Sequence, residues 1–237
     1  MGLFCIFGCQ PYSLQTVDPN MVIAVEVETE ETDTVVTPEP EQPADRHEEA
    51  FSVYVDAMML NDLNKREEAL RKLNNAVALD PIFTLAYSIK GEILKEMKKY
   101  EDSADAYEQA TVCDPWSFND FWNLGKVCQI IKQWARAAKA YASACTIEPQ
   151  HYPAHLGAAQ CYFELKDYDS SLAYAEKAKT LDPTQSDPEL MLGDLFTAKE
   201  DHTQAINAYR RALELEGNNP AIMVSLARAY LHAKNYN

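Results

Sequence analysis

Glycine is scarce, 7 residues in 237, and no stretch alternates apolar and polar positions for long enough to suggest a sheet. A β-rich fold and a glycine-rich phosphate loop are both excluded. Neither HExxH nor G-x-S-x-G occurs, and the carboxylates fall on solvated helix faces, so zinc-dependent or serine-nucleophile hydrolysis lacks its residues. No enzyme activity is expected, and no cofactor. Lysine and arginine number 21 against 37 aspartates and glutamates, a net charge of −16 with no basic patch, which argues against a nucleic-acid partner. Cysteines are few and never paired as CxxC; Cys113, Cys128, Cys145 and Cys161 read as small apolar residues in a reducing, cytoplasmic setting. His151 and His155 stand four apart, but Pro153 between them reads as part of a turn, so no metal site is expected.

What the chain does have is a period. Pro81, Pro115, Pro149 and Pro183 are spaced by 34 residues, and each follows an acidic residue: Asp80, Asp114, Glu148 and Asp182. A fixed period of this length marks a repeat array. Small residues recur at a constant offset before the prolines, at Ala57, Gly91, Gly125, Ala159 and Gly193. Within a unit one stripe runs at spacings of four and three (Phe121, Gly125, Cys128) and a second likewise (Ala137, Tyr141, Ala144), each an amphipathic helix face. Each unit is therefore two helices. Bulky and small residues alternate along the stripes, which lets the helices approach closely, and proline stops the second helix of each pair.

The period, the small residues and the closing proline together resemble the tetratricopeptide repeat. The resemblance implies an all-α, right-handed superhelical solenoid of antiparallel helix pairs. Counting from the prolines gives five repeats over 50–219, the last with Gly217 where proline would stand. A sixth unit starts at Pro220 and keeps Ala227 and Tyr230; residues 220–237 read as a partial repeat or a capping helix. The pattern departs from the family at Arg66 and His202, where an aromatic is usual, and at Glu189.

Ahead of the repeats the composition changes. Residues 1–49 carry 11 acidic residues and one basic residue, a net of −10, against −6 for the rest of the chain. Residues 18–49 are rich in Glu, Thr, Val and Pro and read as an acidic, disordered linker, with helix expected to begin near Asp45. Met21 to Val25 is a short apolar run within it. Residues 1–17 are apolar, lack the basic flank of a secretory signal, and are too short to cross a bilayer. Gly2 with Cys5 and Cys9 suits dual lipidation, which would add membrane association, although Ile6 replaces the usual Ser or Thr; the alternative is a short apolar tag.

With no chemistry to assign, function is expected in binding, to a protein or peptide partner. In the family, the first helix of each repeat lines the concave side. Carried over by repeat position, the groove residues are Tyr54, Val55 and Met58; Ser88, Ile89 and Glu92; Trp122, Asn123 and Lys126; Leu156 and Gln160; and Leu190, Met191 and Asp194. Trp122 and Tyr54 are the candidate anchors, because aromatics dominate binding hot spots. The family's clamp for a C-terminal carboxylate is not reproduced: Asn123 matches, but Ser88, Glu92, Pro153 and Gly157 stand where basic residues and Asn are needed. Phe121 to Gln129, followed by Pro153, His155 and Ala158 to Tyr162, also resembles the class II chaperones of type III secretion, which hold extended apolar segments. Two readings follow: an adaptor or scaffold that binds an extended peptide segment, or a holding chaperone for hydrophobic translocator clients. The residues leave the oligomeric state open.

Overall fold

The computed structural model describes residues 43–235. The lipidation candidates Gly2, Cys5 and Cys9, the Met21–Val25 run and most of the acidic linker lie outside the described residues. Among those described there are eleven α-helices: α1 (Pro43–Asp62), α2 (Arg66–Leu79), α3 (Thr84–Glu96), α4 (Tyr100–Cys113), α5 (Phe118–Ile130), α6 (Trp134–Ile147), α7 (Tyr152–Glu164), α8 (Tyr168–Leu181), α9 (Asp187–Ala198), α10 (His202–Glu216) and α11 (Pro220–Asn235). They pack as sequential antiparallel pairs, α1 with α2 through α9 with α10, and α11 packs on α10. Helix begins at Pro43, ahead of Asp45, so residues 43–49 belong to α1 rather than to the linker. A proline in the first helical turn has no amide hydrogen to leave unpaired, and its fixed φ suits the helix.

Each pair meets at a small residue. Ala57, Gly91, Gly125, Ala159 and Gly193 are all buried, and at the three glycines the ring of a facing tyrosine lies where a side chain would project. A Cβ on Gly125 would sit 2.7 Å from the Tyr141 ring, and one on Gly91 would sit 2.9 Å from Tyr107. Tyr141 is pressed from both sides, since a Cβ on Gly157 of the next repeat would lie 2.8 Å from it. Beside the crossing, Ser103 Oγ donates to Gly91 O at 2.6 Å and Ser171 Oγ donates to Ala159 O at 2.7 Å, tying second helix to first inside the core. Burial of Tyr107, Tyr141 and Tyr209 pushes all three phenols well above their ordinary range.

The turns between repeats explain the acid ahead of each proline. Asp80, Asp114 and Asp182 each accept, through Oδ1, the amide hydrogen two residues on, from Ile82, Trp116 and Thr184. An aspartate is short enough to close this turn, and the proline between has no amide to compete. At Glu148 the backbone bond from His151 N to Glu148 O at 3.1 Å closes the turn.

The turns inside repeats show a second period of 34 that the amino acids do not advertise. Asn64, Lys98, Lys132, Lys166 and Glu200 adopt left-handed backbone with φ between 58° and 62°. In each case the next amide reaches back to end the helix, as Lys65 N does to Leu60 O and Gln133 N to Cys128 O. This is the glycine-type helix stop made by residues that pay a steric penalty there.

Two expectations change on inspection of the helices. Pro153 lies within the first turn of α7 rather than in the inter-repeat turn, and His151 caps that helix, its Nδ1 accepting from Ala154 N at 3.2 Å. His155 is buried with Nε2 at 3.1 Å from Pro149 O, so the two histidines are used by the fold. In α11 the packing is done by buried Ile222 and Ala229, whereas Ala227 and Tyr230, expected to continue the stripe, are exposed.

The departures at Arg66 and Glu189 have structural reasons. Arg66 pairs with Glu96 at 2.9 Å. Glu189 is buried and lies 3.0 Å from both Lys179 Nζ and Arg211 Nε, so α9 is held between α8 and α10 by one carboxylate and two cations.

Candidate binding groove

The odd-numbered helices of neighbouring repeats touch directly, α5 with α7 and α7 with α9. Their shared side carries the residues named from the sequence. Tyr54 is half-buried against Phe83, with ring centroids 5.2 Å apart, and burial raises its phenol pKa. Ile89, Met58 and Asn123 are half-buried, and Glu92 is exposed. Trp122 is more enclosed than a free anchor would be. Its ring lies 5.4 Å from Tyr141, 4.9 Å from His151 and stacked 6.4 Å from Phe118. Lys126 Nζ stands 5.1 Å from the Trp122 centroid, and burial together with the nearby Lys95 lowers its pKa. Gln129 donates through its Nε2 to Gln160 Oε1 at 2.7 Å, and its own Oε1 accepts from the Tyr141 hydroxyl.

Towards the C-terminal repeats this side opens into a cavity of about 410 Å³. Leu156, Phe163, Leu190 and Met191 form its apolar part, and Glu164, Asp187 and Asp194 its acidic part, with Gln160 between. Five of these positions, Leu156, Gln160, Leu190, Met191 and Asp194, were named from repeat position; Phe163, Glu164 and Asp187 were not. Phe163 lies one turn beyond Gln160 on α7, so continuing the stripe by three residues would have found it. A second cavity of about 350 Å³ continues from the first, sharing Phe163 and Asp194 and reaching Arg228 on α11. The two run past α7, α9 and α11.

Asp194 sits where the cavities meet. Its Oδ1 accepts from the Tyr209 hydroxyl at 2.6 Å. Burial raises its pKa above the usual carboxylate range, opposed by the Tyr209 hydrogen bond and the charge of Arg228. The opposite side of the array differs: acids there are paired across repeats, Glu67 with Lys99, Asp105 and Glu108 with Arg136, and Asp169 with Lys199.

The other candidate chemistry is absent among the described residues. No group of histidines, cysteines and carboxylates is arranged to hold a metal ion. Cys128, Cys145 and Cys161 are buried, and burial pushes their thiols up to about 11, 12 and 12, which removes thiolate reactivity. No described helix is long and apolar enough to cross a membrane.

Similarity to known proteins follows the repeats. Residues 132–195 and 196–237 match the family model described as tetratricopeptide repeat. No curated protein sequence matches the chain. Among solved structures it is similar to YrrB, described as a TPR protein with an unusual peptide-binding site, at 22% identity and a TM-score of 0.65, covering 82% of this chain and 98% of that one. MamA (residue 41 to the end) from Desulfovibrio magneticus RS-1 matches at 20% identity and TM-score 0.58, covering 74% of this chain and 98% of its own. PilF of Pseudomonas aeruginosa matches at 18% identity and TM-score 0.54, covering 80% and 87%. With five helix pairs in a 34-residue register, small residues at every crossing and an aspartate–proline turn or its equivalent between units, the chain is a tetratricopeptide-repeat protein.

Proposed function

We propose that this protein is a non-enzymatic adaptor that holds an extended peptide segment of a partner protein along the side formed by its odd-numbered helices. The observation that carries this reading is the pair of contiguous cavities past α7, α9 and α11, lined by residues at the repeat positions that face the groove. Half-buried apolar side chains offer area to desolvate, and Asn123 and Gln160 offer hydrogen bonds to a peptide backbone. YrrB, similar in fold, is described as having an unusual peptide-binding site, which supports a peptide as the kind of ligand.

The adaptor reading is preferred to a holding chaperone because apolar surface also occurs away from the groove. Ile82 and Trp116 are 77% and 76% exposed in successive inter-repeat turns, which Cys113 Sγ links by a 3.6 Å contact to Pro81 O. A scaffold is expected to use several contacts, the groove being one. The test is selection of a displayed peptide library on the full chain, followed by binding of the selected peptides to a Leu156→Arg variant whose helical melt is unchanged. Peptides that lose affinity place the ligand in the groove. Equal binding to the variant removes the groove from the role, and suppression of aggregation of an unfolded client without peptide selectivity replaces the adaptor with the chaperone.

A further inference from the structure

We infer that the α7–α9 cavity takes a cationic, apolar peptide segment, in which lysine or arginine side chains alternate with aliphatic ones. The inference rests on the groove reading above and adds the chemistry of the occupant. Its basis is a difference in how the acids of this chain are neutralised. On the even-helix side, carboxylates that lie between repeats are met by the chain's own cations. Lys99, Arg136 and Lys199 approach Glu67, Asp105 with Glu108, and Asp169 to within 3.2 Å. Even the buried Glu189 has two cations at 3.0 Å.

Around the cavity this provision stops. Glu164, Asp187 and Asp194 have no ion pair among the described residues, and no lysine or arginine lines the 410 Å³ space. Asp194 takes a single hydrogen bond, at Oδ1 from Tyr209, and its second oxygen accepts none from the described residues. Arg228, on the far side of Asp194, lines only the neighbouring cavity. Apolar walls beside the half-buried Asp194 lower the local dielectric, so its carboxylate attracts an incoming cation more strongly than one in open water, and the exposed Glu164 and Asp187 add negative charge to the same field. An anionic segment would meet three like charges on its path. A neutral apolar segment would desolvate the acids without compensation. Only a ligand that brings both aliphatic area and positive charge satisfies the whole lining.

The probes are two fluorescein-labelled nonapeptides of identical alanine and leucine content, one with three lysines and one with three glutamates, titrated against the full chain by anisotropy in 50 mM salt. The lysine peptide should bind at least tenfold more tightly. Neutralising the cavity with Glu164→Gln, Asp187→Asn and Asp194→Asn together should cost the lysine peptide at least tenfold. A control carrying Glu101→Gln, Glu148→Gln and Glu214→Gln makes the same change in net charge away from the cavity and should cost less than twofold. Both triple variants keep shape and hydrogen-bonding capacity, and circular dichroism melts confirm that they fold.

Equal losses in the two triple variants would make the attraction one of overall charge, including the acidic residues 18–49, and would overturn the inference. So would absence of binding by the lysine peptide, or tighter binding of the glutamate peptide. A Leu190→Gln variant separates the two levels. If it weakens both peptides while cavity neutralisation changes nothing, the groove reading stands and its cationic ligand falls. If the lysine peptide ignores Leu190→Gln, the groove reading falls as well.

Discussion

Two carboxylates on α9, five residues apart, are treated in opposite ways. Glu189 faces α8 and α10, is 3% exposed, and is held by Lys179 and Arg211. Asp194 faces α7 and α11, is half-buried, and receives one hydroxyl from Tyr209. The first is a joint between repeats; the second is an acid kept in a place where it costs stability. Sequences depart from the most stable choice mainly where another use of the residue competes. The difference between these faces therefore separates the part of α9 that builds the array from the part that, under the proposed function, meets a partner.

The largest break in that comparison is to strip the cations from Glu189. Lys179→Met with Arg211→Met leaves a buried, unpaired carboxylate and should lower stability by about 3 kcal/mol, measured as the shift of the urea midpoint. Adding Glu189→Leu to that background should recover most of the loss, because an apolar trio of similar volume no longer has a charge to bury. A loss with no recovery would mean that the site is held by packing alone. On the opposite side, Trp122→Ala should cost about 2 kcal/mol, less than a fully buried tryptophan, since the ring is only partly enclosed by Phe118, Tyr141 and His151. It should also weaken peptide binding. Loss of stability with full affinity retained would make Trp122 part of the core only.

Asp194→Asn tests the second face with the opposite sign. Burial raises this carboxyl, so between the ordinary aspartate value of about 3.9 and its own higher value the folded state keeps a proton that the unfolded chain has lost. Stability falls as pH rises through that window and stays lowered above it. Replacement by asparagine should therefore raise the melting temperature at pH 7 and leave it unchanged near pH 3, where both forms are neutral. The amide oxygen still accepts from Tyr209, so the readout is the charge rather than the hydrogen bond. A drop in melting temperature at pH 7 would show that the ionised carboxylate stabilises the fold.

The array itself was legible because its signals are steric and periodic. Proline at a 34-residue spacing, and glycine wherever a tyrosine ring crosses, leave few alternatives for Gly125 or Tyr141. The acid before each proline was legible as a pattern, and its Asx-type turn supplies the reason. The left-handed residues were not legible: lysine at 98, 132 and 166 carries no backbone preference for φ near +60°, and the conformation is imposed by the helices that the turn joins. Pro153 was misplaced for a related reason, since proline both ends helices and occupies their first turn. Repeat position pointed to Leu156, Leu190 and Asp194, which line one cavity, but not to the tie of Gln160 to Gln129 or the lean of Trp122 on His151 from the next repeat. Those contacts depend on side chains 29 to 31 positions apart, beyond the reach of a helical stripe.

The smallest effect is also the sharpest division between the two faces. Among the described residues Arg228 is the one cation that bears on Asp194, through charge and without a direct ion pair, whereas Glu189 is touched by both of its partners. Arg228→Gln should therefore make the buried charge of Asp194 costlier, and Asp194→Asn should then stabilise more in the Arg228→Gln background than in the wild type. The coupling from the double-mutant cycle should be about 0.5 kcal/mol in low salt and should vanish in 1 M salt, where screening acts within about 3 Å. A coupling that survives high salt would mean that Arg228 contacts Asp194 directly, and the acid would then be a paired joint like Glu189 rather than a charge left for a partner.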